Sequence, residues 1–438
     1  MTRILQGAGI IFFLIFVCVL VRDAGFVKRN PDDLRNRVVG ARLIKDGYSP
    51  YFYKWKNGDG ARYYDPKAFD TLKVSNITAS PLFHHLLYPL AELSQREISV
   101  WWLVIEYVMF SLSVLMALAL SATDNQKLLV FITGGLFLLT EGWKVHVLAG
   151  QNYLFVPFLA MLFYYFFNCK KNLVMAFLAG LVAVVLVLVR PNMLIFFIPF
   201  LLLYKQHYSK SYLIAFFSPV VLICILTLAD KKERSLWIDY KLSIVEQIKL
   251  HQKLSPMGHV NDRDPHYVKW EGMDREEMNR LAREQPVPIY SENGNVFVIA
   301  GILFHRKISV IALSFACIVC LLSLFLICLL FQRRKKMYTL VEIALISFCF
   351  YMLTDFFSPV YRWQYYTVQW LFPIMVASSA YKPSQRKWFF IAGAGLILNI
   401  LNGGPIPFKH TAGEYILLVS FITLSLANSH NKEKQALN

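Results

Sequence analysis

The feature that most constrains this chain is its set of long, predominantly apolar runs, among them Ile4–Val21, Val100–Leu120 and Ser309–Phe331. A run of roughly 18 to 20 apolar residues matches the thickness of a bilayer's hydrocarbon core when wound as an α-helix. With no water in that core to satisfy backbone groups, helices are the natural way for such runs to cross it. Across all 438 residues the composition agrees, with 56% hydrophobic residues and a mean hydropathy of +0.46. A soluble domain of this length carries far more polar surface. The fold class expected is therefore all-α, a polytopic integral membrane protein.

Apolar windows separated by polar breaks give about twelve candidate transmembrane helices. They fall near 4–21, 98–120, 128–140, 153–168, 173–189, 193–204, 211–229, 308–331, 338–354, 366–380, 388–401 and 413–427. The shorter ones read as tilted pairs or re-entrant helices as well as full spans. Val21-Arg22-Asp23 ends the first run without a small-residue cleavage site, so that run reads as an uncleaved anchor.

The net charge of +17 would point to nucleic acid in a soluble protein. Here the positive charges sit in short loops between spans, so orientation and membrane lipids account for them and no nucleic acid is expected. Taken alternately, one set of loops holds Lys127, Lys170-Lys171, Lys205 with Lys210, Arg333-Arg334-Lys335-Lys336, Lys382 with Arg386-Lys387, and the Lys432 and Lys434 tail. The positive-inside rule makes these loops and both termini cytoplasmic in a multi-pass cell-membrane protein. The two long polar segments, 22–96 and 230–306, then lie on the extracytoplasmic side. The second mixes charges of both signs with Trp237, Tyr240, Tyr267 and Trp270, as in a small cap or interfacial helices.

Six of the seven cysteines lie in apolar runs and none pairs up in the outer loops, so no disulfide framework is expected. Cys317 and Cys320 have CxxC spacing in mid-helix, which supplies only two metal ligands, and no metal or other cofactor is expected. His84 and His85 are adjacent and must point to different sides of any helix. No internal repeat of the kind found in secondary transporters is visible.

The first outer loop is the most informative stretch. From Asp32-Asp33-Leu34-Arg35 to Gly47-Tyr48-Ser49-Pro50 it predicts a short amphipathic helix on the membrane surface. Asp32 or Asp33 caps it, Val38, Val39, Ala41, Leu43 and Ile44 give it an apolar face, and Gly47 stops it. The plain reading is a capped helix with a local ion pair. The sharper one is a carboxylate base beside cations that hold a phosphate.

Asp-Leu, a small-residue centre, then Leu-Ile-x-x-Gly-x-x-Pro-Tyr resembles the loop after the first span in glycosyltransferase family 87. Three later segments are similar to that family's motifs in the same order: Gly150-Gln151-Asn152, Arg190-Pro191, and Ser358-Pro359 with a following aromatic turn and Pro373. The chain departs from the family pattern where Arg362, Trp363, Gln364 and Tyr365 follow the Ser-Pro, and where Ala79-Ser80-Pro81 precedes the second span.

The resemblance implies a single domain over 1–438 with the GT-C fold. It also implies a membrane glycosyltransferase that moves a hexose, mannose in this family, from a polyprenyl-phosphate donor to a glycan or glycolipid acceptor. Counting fourteen residues back from Gly47, the family's catalytic aspartate aligns with Asp33. Candidates for the donor phosphate and substrate are Arg35, Arg37, Arg42, Lys144, His146, Gln151, Asn152, Arg190, Arg362 and Gln364. Each basic residue also reads as a snorkelling charge at a span end. Glu106, inside the second span, is either functional or paired with a cation such as Arg190. A transporter or flippase, or a polysaccharide polymerase or ligase, is the competing class.

Overall fold

The computed structural model describes residues 3–26, 32–55, 59–63, 75, 77–169, 172–203, 209–253, 295–304, 308–335, 338–360, 362–400 and 409–427. Several sequence readings fall outside them: Lys170-Lys171, Lys205, the Lys432 and Lys434 tail, the Asp32 side chain, and the charged stretch with Tyr267 and Trp270.

The described residues form seventeen α-helices linked by short 3-10 turns. The first is α1 (Arg3–Ala24), followed in the outer loop by α2 (Asp32–Lys45) and α3 (Pro81–Leu86). Next come α4 (Gln95–Leu120), α5 (Asp124–Leu138), α6 (Glu141–Ala149), α7 (Phe155–Asn168), α8 (Leu173–Val189) and α9 (Leu194–Leu203). The second half holds α10 (Lys210–Ala229), α11 (Lys231–Lys253), α12 (Val296–Phe304), α13 (Val310–Lys335) and α14 (Leu340–Phe356), then α15 (Leu371–Ser379), α16 (Arg386–Ile400) and α17 (Lys409–Ala427).

Among the described residues four helices, α1, α4, α10 and α13, are long and apolar enough to cross a membrane. A fifth crossing appears if α5 and α6, bent by 57° at their junction, are one broken span. Of the remaining expected spans, α7, α8 and α9 are shorter apolar helices, and the one near 366–380 divides into a 3-10 turn (Gln364–Trp370) and α15. Helix α6 had no counterpart among the expected spans, because Glu141, Lys144 and His146 break the apolar pattern there.

The starts of the bundle helices follow from local sequence. Ser94 with Glu97, Thr123 with Gln126 and Thr339 with Glu342 each close a reciprocal capping box, satisfying two orphan N–H groups at the head of α4, α5 and α14. Between apolar helices in lipid the attraction is close packing rather than water exclusion. Phe163 shows this at the α7, α9 and α10 junction, with the rings of Phe196, Phe197, Phe200 and Phe216 edge-on around it.

The Gln126 amide donates to the carbonyl of Tyr381 at 3.1 Å, joining two loops of the basic set. The described parts of the two long polar segments also meet. His85 Nε2 lies 2.7 Å from Glu233, the Gln247 amide donates to the Ser75 carbonyl at 2.8 Å, and the rings of Tyr51 and Tyr240 pack 5.6 Å apart. Helix α11 therefore lies on the first long polar segment, with its Ile238, Leu242 and Val245 side chains left exposed.

Candidate active site

Helix α2 forms as its sequence predicts. Gly47, at φ +86°, follows its last turn, and the N–H groups of Gly47 and Tyr48 return to the carbonyls of Ile44 and Leu43 at 3.0 and 2.8 Å. The helix is more deeply seated than a surface helix. Leu34, Val38 and Ala41 are buried against Phe83, Leu87, Ile98 and Trp102, while Val39 and Leu43 pack on Tyr51 and Ile77. Gly40 lets the His84 imidazole press on the helix backbone, since a Cβ there would stand 2.3–2.9 Å from its ring atoms. His84 Nδ1 in turn reaches the Arg37 carbonyl at 3.0 Å. Burial, reinforced by the nearby Arg37 charge, pushes its pKa down to about 3.

The second part of the site is the turn between α6 and α7. Gly150 ends α6 in the left-handed region (φ 62°), where its N–H and that of Gln151 satisfy the carbonyls of Val147 and His146 at 3.1 Å. This turn delivers Gln151 to the head of α2. The Gln151 amide donates to the Asp33 carboxylate, and its carbonyl oxygen accepts from Arg37 Nη2 at 2.6 Å. Arg37 Nη1 also donates to the Asp33 carbonyl at 2.5 Å. Asp33, Arg37 and Gln151 are thus one hydrogen-bonded unit, built from residues 114 or more positions apart in sequence where Gln151 joins.

Two residues on, Tyr153 hydrogen-bonds to Tyr366, and its ring packs on that of Tyr366 at 3.9 Å and on that of Tyr365 at 5.5 Å. The Arg190 guanidinium sits 5.2 Å from the Tyr153 ring centroid, within cation–π range. Tyr365 lies within electrostatic reach of Asp33 and Arg37, and Tyr240 of α11 lies within reach of Arg190 and Tyr153. Tyr153 thus joins the Gln151 turn to the cation that ends α8.

Arg190 Nη2 pairs with Asp355 Oδ1 at 2.8 Å and keeps 30% of its side chain exposed. Arg362, only 2% exposed, pairs with Asp355 Oδ2 at 2.9 Å and also with Glu414. Two cations and two carboxylates thereby balance, which is what makes burying them tolerable. Asp355 and Glu414 are as notable by sequence as Glu106, since a carboxylate within an apolar helix demands a reason. Tyr365 and Tyr366 lie in the aromatic turn after Ser358-Pro359, whereas no sequence pattern distinguishes Tyr153 from the chain's other tyrosines.

The structure thus brings Asp33, Arg37, Gln151, Arg190 and Arg362 to one end of the bundle around the tyrosines. Asn152 lies in the same turn, its carbonyl accepting from Phe155 N–H at 3.2 Å. The other proposed residues lie apart. Arg35 is buried in a crevice with Gln95, Ile98 and Ser99 at the head of α4. Arg42 donates to the carbonyls of Ala91, Arg62 and Leu93 at 2.7, 3.1 and 3.3 Å, which fastens the outer loop. Lys144 pairs with Glu141 of its own helix at 2.9 Å, and Gln364 contacts His410 at 2.8 Å. His146 is buried beside Glu106, which it approaches to 3.1 Å; Arg190 is not the partner of Glu106. Among the described residues no group of three or more His, Cys, Asp or Glu is placed to hold a metal ion.

No protein-family profile matches this chain, nor does any curated protein. It is similar to solved structures of an archaeal oligosaccharyltransferase from Archaeoglobus fulgidus. One is AglB in complex with an inhibitory peptide and a dolichol-phosphate, matched over 94% of this chain and 56% of that one at 13% identity and a TM-score of 0.39. The apo form of the Archaeoglobus fulgidus enzyme matches with the same coverage, 13% identity and TM-score of 0.39. The chain spans about half the length of those proteins, and the likeness is too slight to assign a family.

Proposed function

We propose that this chain is a membrane glycosyltransferase of the GT-C type. In this reading it moves a hexose, mannose by the family resemblance, from a polyprenyl-phosphate donor to a glycan or glycolipid acceptor on the extracytoplasmic face. The observation that carries the proposal is the Asp33 carboxylate, fixed by Gln151 and flanked by Arg37, beside a tyrosine-lined Arg190.

The chemistry follows from those groups. The acceptor hydroxyl loses its proton to Asp33 as its oxygen attacks the anomeric carbon. The C–O bond to the phosphate breaks on the opposite face, and attack in line with the departing phosphate inverts the anomeric centre. A polyprenyl phosphate departs as a stable anion, and guanidinium groups recognise it by charge and paired N–H donors. Arg190, the more exposed of the two paired arginines, would touch the phosphate, with Arg37 bordering the carboxylate side. Arg362 would hold Asp355, and through it the direction of Arg190. The ring faces of Tyr153 and Tyr365 suit the apolar face of a sugar.

The test uses membranes carrying the protein and a radiolabelled polyprenyl-phosphate mannose. Asp33→Asn should abolish transfer of label to endogenous acceptors. Transfer at the wild-type rate would remove Asp33 as the base, and unchanged transfer after loss of both Arg190 and Arg362 would remove the phosphate assignment.

A further inference from the structure

Beneath the Gln151 turn lies a second buried polar cluster that the reaction above does not use. Glu106 is 1% exposed in the middle of α4, and its Oε1 accepts from Trp102 Nε1 at 3.1 Å. The same oxygen stands 3.1 Å from Nδ1 of His146, whose ring is fully buried. The other ring nitrogen, Nε2, accepts the backbone N–H of Leu154 at 3.3 Å. A nitrogen that accepts carries no proton, so the ring proton sits on Nδ1, which stands 3.1 Å from Glu106 Oε1 without an aligned hydrogen bond to it. Behind Glu106 lies Asp23, held by Tyr107 Oη at 2.8 Å, Trp143 Nε1 at 2.9 Å and Arg22 at 2.7 Å.

His146 therefore holds the Gly150–Leu154 turn at two points. Its carbonyl takes the Gln151 N–H, and its imidazole takes the Leu154 N–H. Between those anchors sit Gln151, which orients Asp33, and Tyr153, which packs on Arg190. A buried carboxylate inside a span is costly unless it does something, and this one stands against the ring whose far nitrogen accepts from the turn.

We propose that Glu106 and His146 are a positioning pair that sets the turn carrying Gln151 and Tyr153, and through it the geometry of Asp33 and Arg190. The proposal rests on the assignment of those residues to the active site. It gives His146 a neutral, buried role in place of phosphate contact, and it accounts for Glu106.

The test is hydrogen–deuterium exchange on the full chain in nanodiscs, read at residues 150–154, for Glu106→Ala, His146→Ala, the double variant and Glu106→Gln. Either alanine should raise exchange there by about tenfold or more, and the double variant should add nothing to either single one. Glu106→Gln keeps a polar oxygen beside Nδ1 and should stay within about threefold of wild type. With decaprenyl-phosphate mannose as donor and octyl mannoside as acceptor, kcat of Glu106→Ala should fall by about tenfold to a hundredfold while the donor KM holds within about threefold. Glu106→Gln should rescue that loss. Where Glu106→Ala fails to fold, His146→Ala makes the same test from the other end of the contact. Wild-type protection at 150–154 in a folded alanine variant, or raised exchange with unchanged kcat, overturns the proposal. A wild-type chain that transfers no label sinks the functional reading instead, and the exchange result still decides whether the pair holds the turn.

Discussion

The Gln151 side chain donates to the Asp33 carboxylate and accepts from Arg37, so one amide fixes a carboxylate and a cation at the head of α2. The proposed base is thereby pre-oriented, and the two kinds of contact separate by mutation. Asp33→Asn should slow sugar transfer by roughly a hundredfold to ten-thousandfold, the range of a general base. Gln151→Ala should cost about tenfold to a hundredfold, because the carboxylate remains and only its placement is lost. Initial rates at saturating donor, normalised to folded protein, check both; equal losses in the two variants would contradict the division of roles.

Arg190 and Arg362 share Asp355 yet should fail differently. Arg190 is partly exposed and lies over a tyrosine ring, so Arg190→Ala should weaken donor binding by about tenfold to a hundredfold, the worth of a charge-assisted hydrogen bond. Donor titration of transfer rates reads this as a rise in KM. Arg190→Lys should recover part of it, since charge returns without the planar fork.

Arg362 is 2% exposed and faces two carboxylates. Arg362→Met leaves Asp355 and Glu414 buried with less compensation, and the expected cost is about 3–5 kcal/mol of stability. A lowered melting midpoint in detergent measures it. Adding Glu414→Gln to Arg362→Met should return part of the loss, which a simple cavity effect would not.

Gly40 faces the His84 ring at a distance no Cβ can share. Gly40→Ala should displace His84 from the Arg37 carbonyl and destabilise the chain by about 1–3 kcal/mol, despite alanine's better helix propensity. Thermal melting of this variant beside an alanine substitution at the exposed Lys45 gives the comparison. A neutral or stabilising Gly40→Ala would show that the outer loop yields freely.

His84 also sets a pH dependence. Its folded pKa, about 3, lies below the ordinary 6.5, so between those values the unfolded chain binds a proton that the folded chain refuses. Stability from this group is complete above about 6.5 and falls as pH drops toward 3, by at most about 1.4 kcal/mol per pH unit. Melting midpoints across pH 7 to 4 should decline more steeply for wild type than for His84→Gln. Parallel curves would mean that His84 is not the group responsible.

Some of the site was open to view in the chain's own pattern. The helix Asp32–Lys45 and its Gly47 stop are local matters of apolar spacing and a left-handed C-terminal residue, and they form as that pattern predicts. The Gly150-Gln151-Asn152 turn was visible as a break between apolar runs, yet helix α6 before it was not, because Glu141, Lys144 and His146 break its apolar pattern and only the fold shows His146 turned inward beside Glu106. Glu106 announced itself as an anomaly, but the partner offered by sequence order, Arg190, belongs to Asp355. Asp355 and Glu414 raised the same anomaly without the motif that drew attention to Arg190 and Arg362.

What the sequence determined by itself is the membrane, because a long apolar run has few solvents open to it and a helix satisfies its own backbone within the run. Its charge pattern also sorts the basic loops into one group and the long polar segments into another. Tertiary structure decided which charges are neighbours. Asp33 meets Gln151 across more than a hundred residues, Arg37 joins them, and Tyr153, Tyr365 and Tyr366 link that group to Arg190. The physical reason is the range of the forces. Hydropathy and capping act within a few turns of one helix, whereas an ion pair depends on which helix ends packing brings within about 4 Å, and no local rule encodes that.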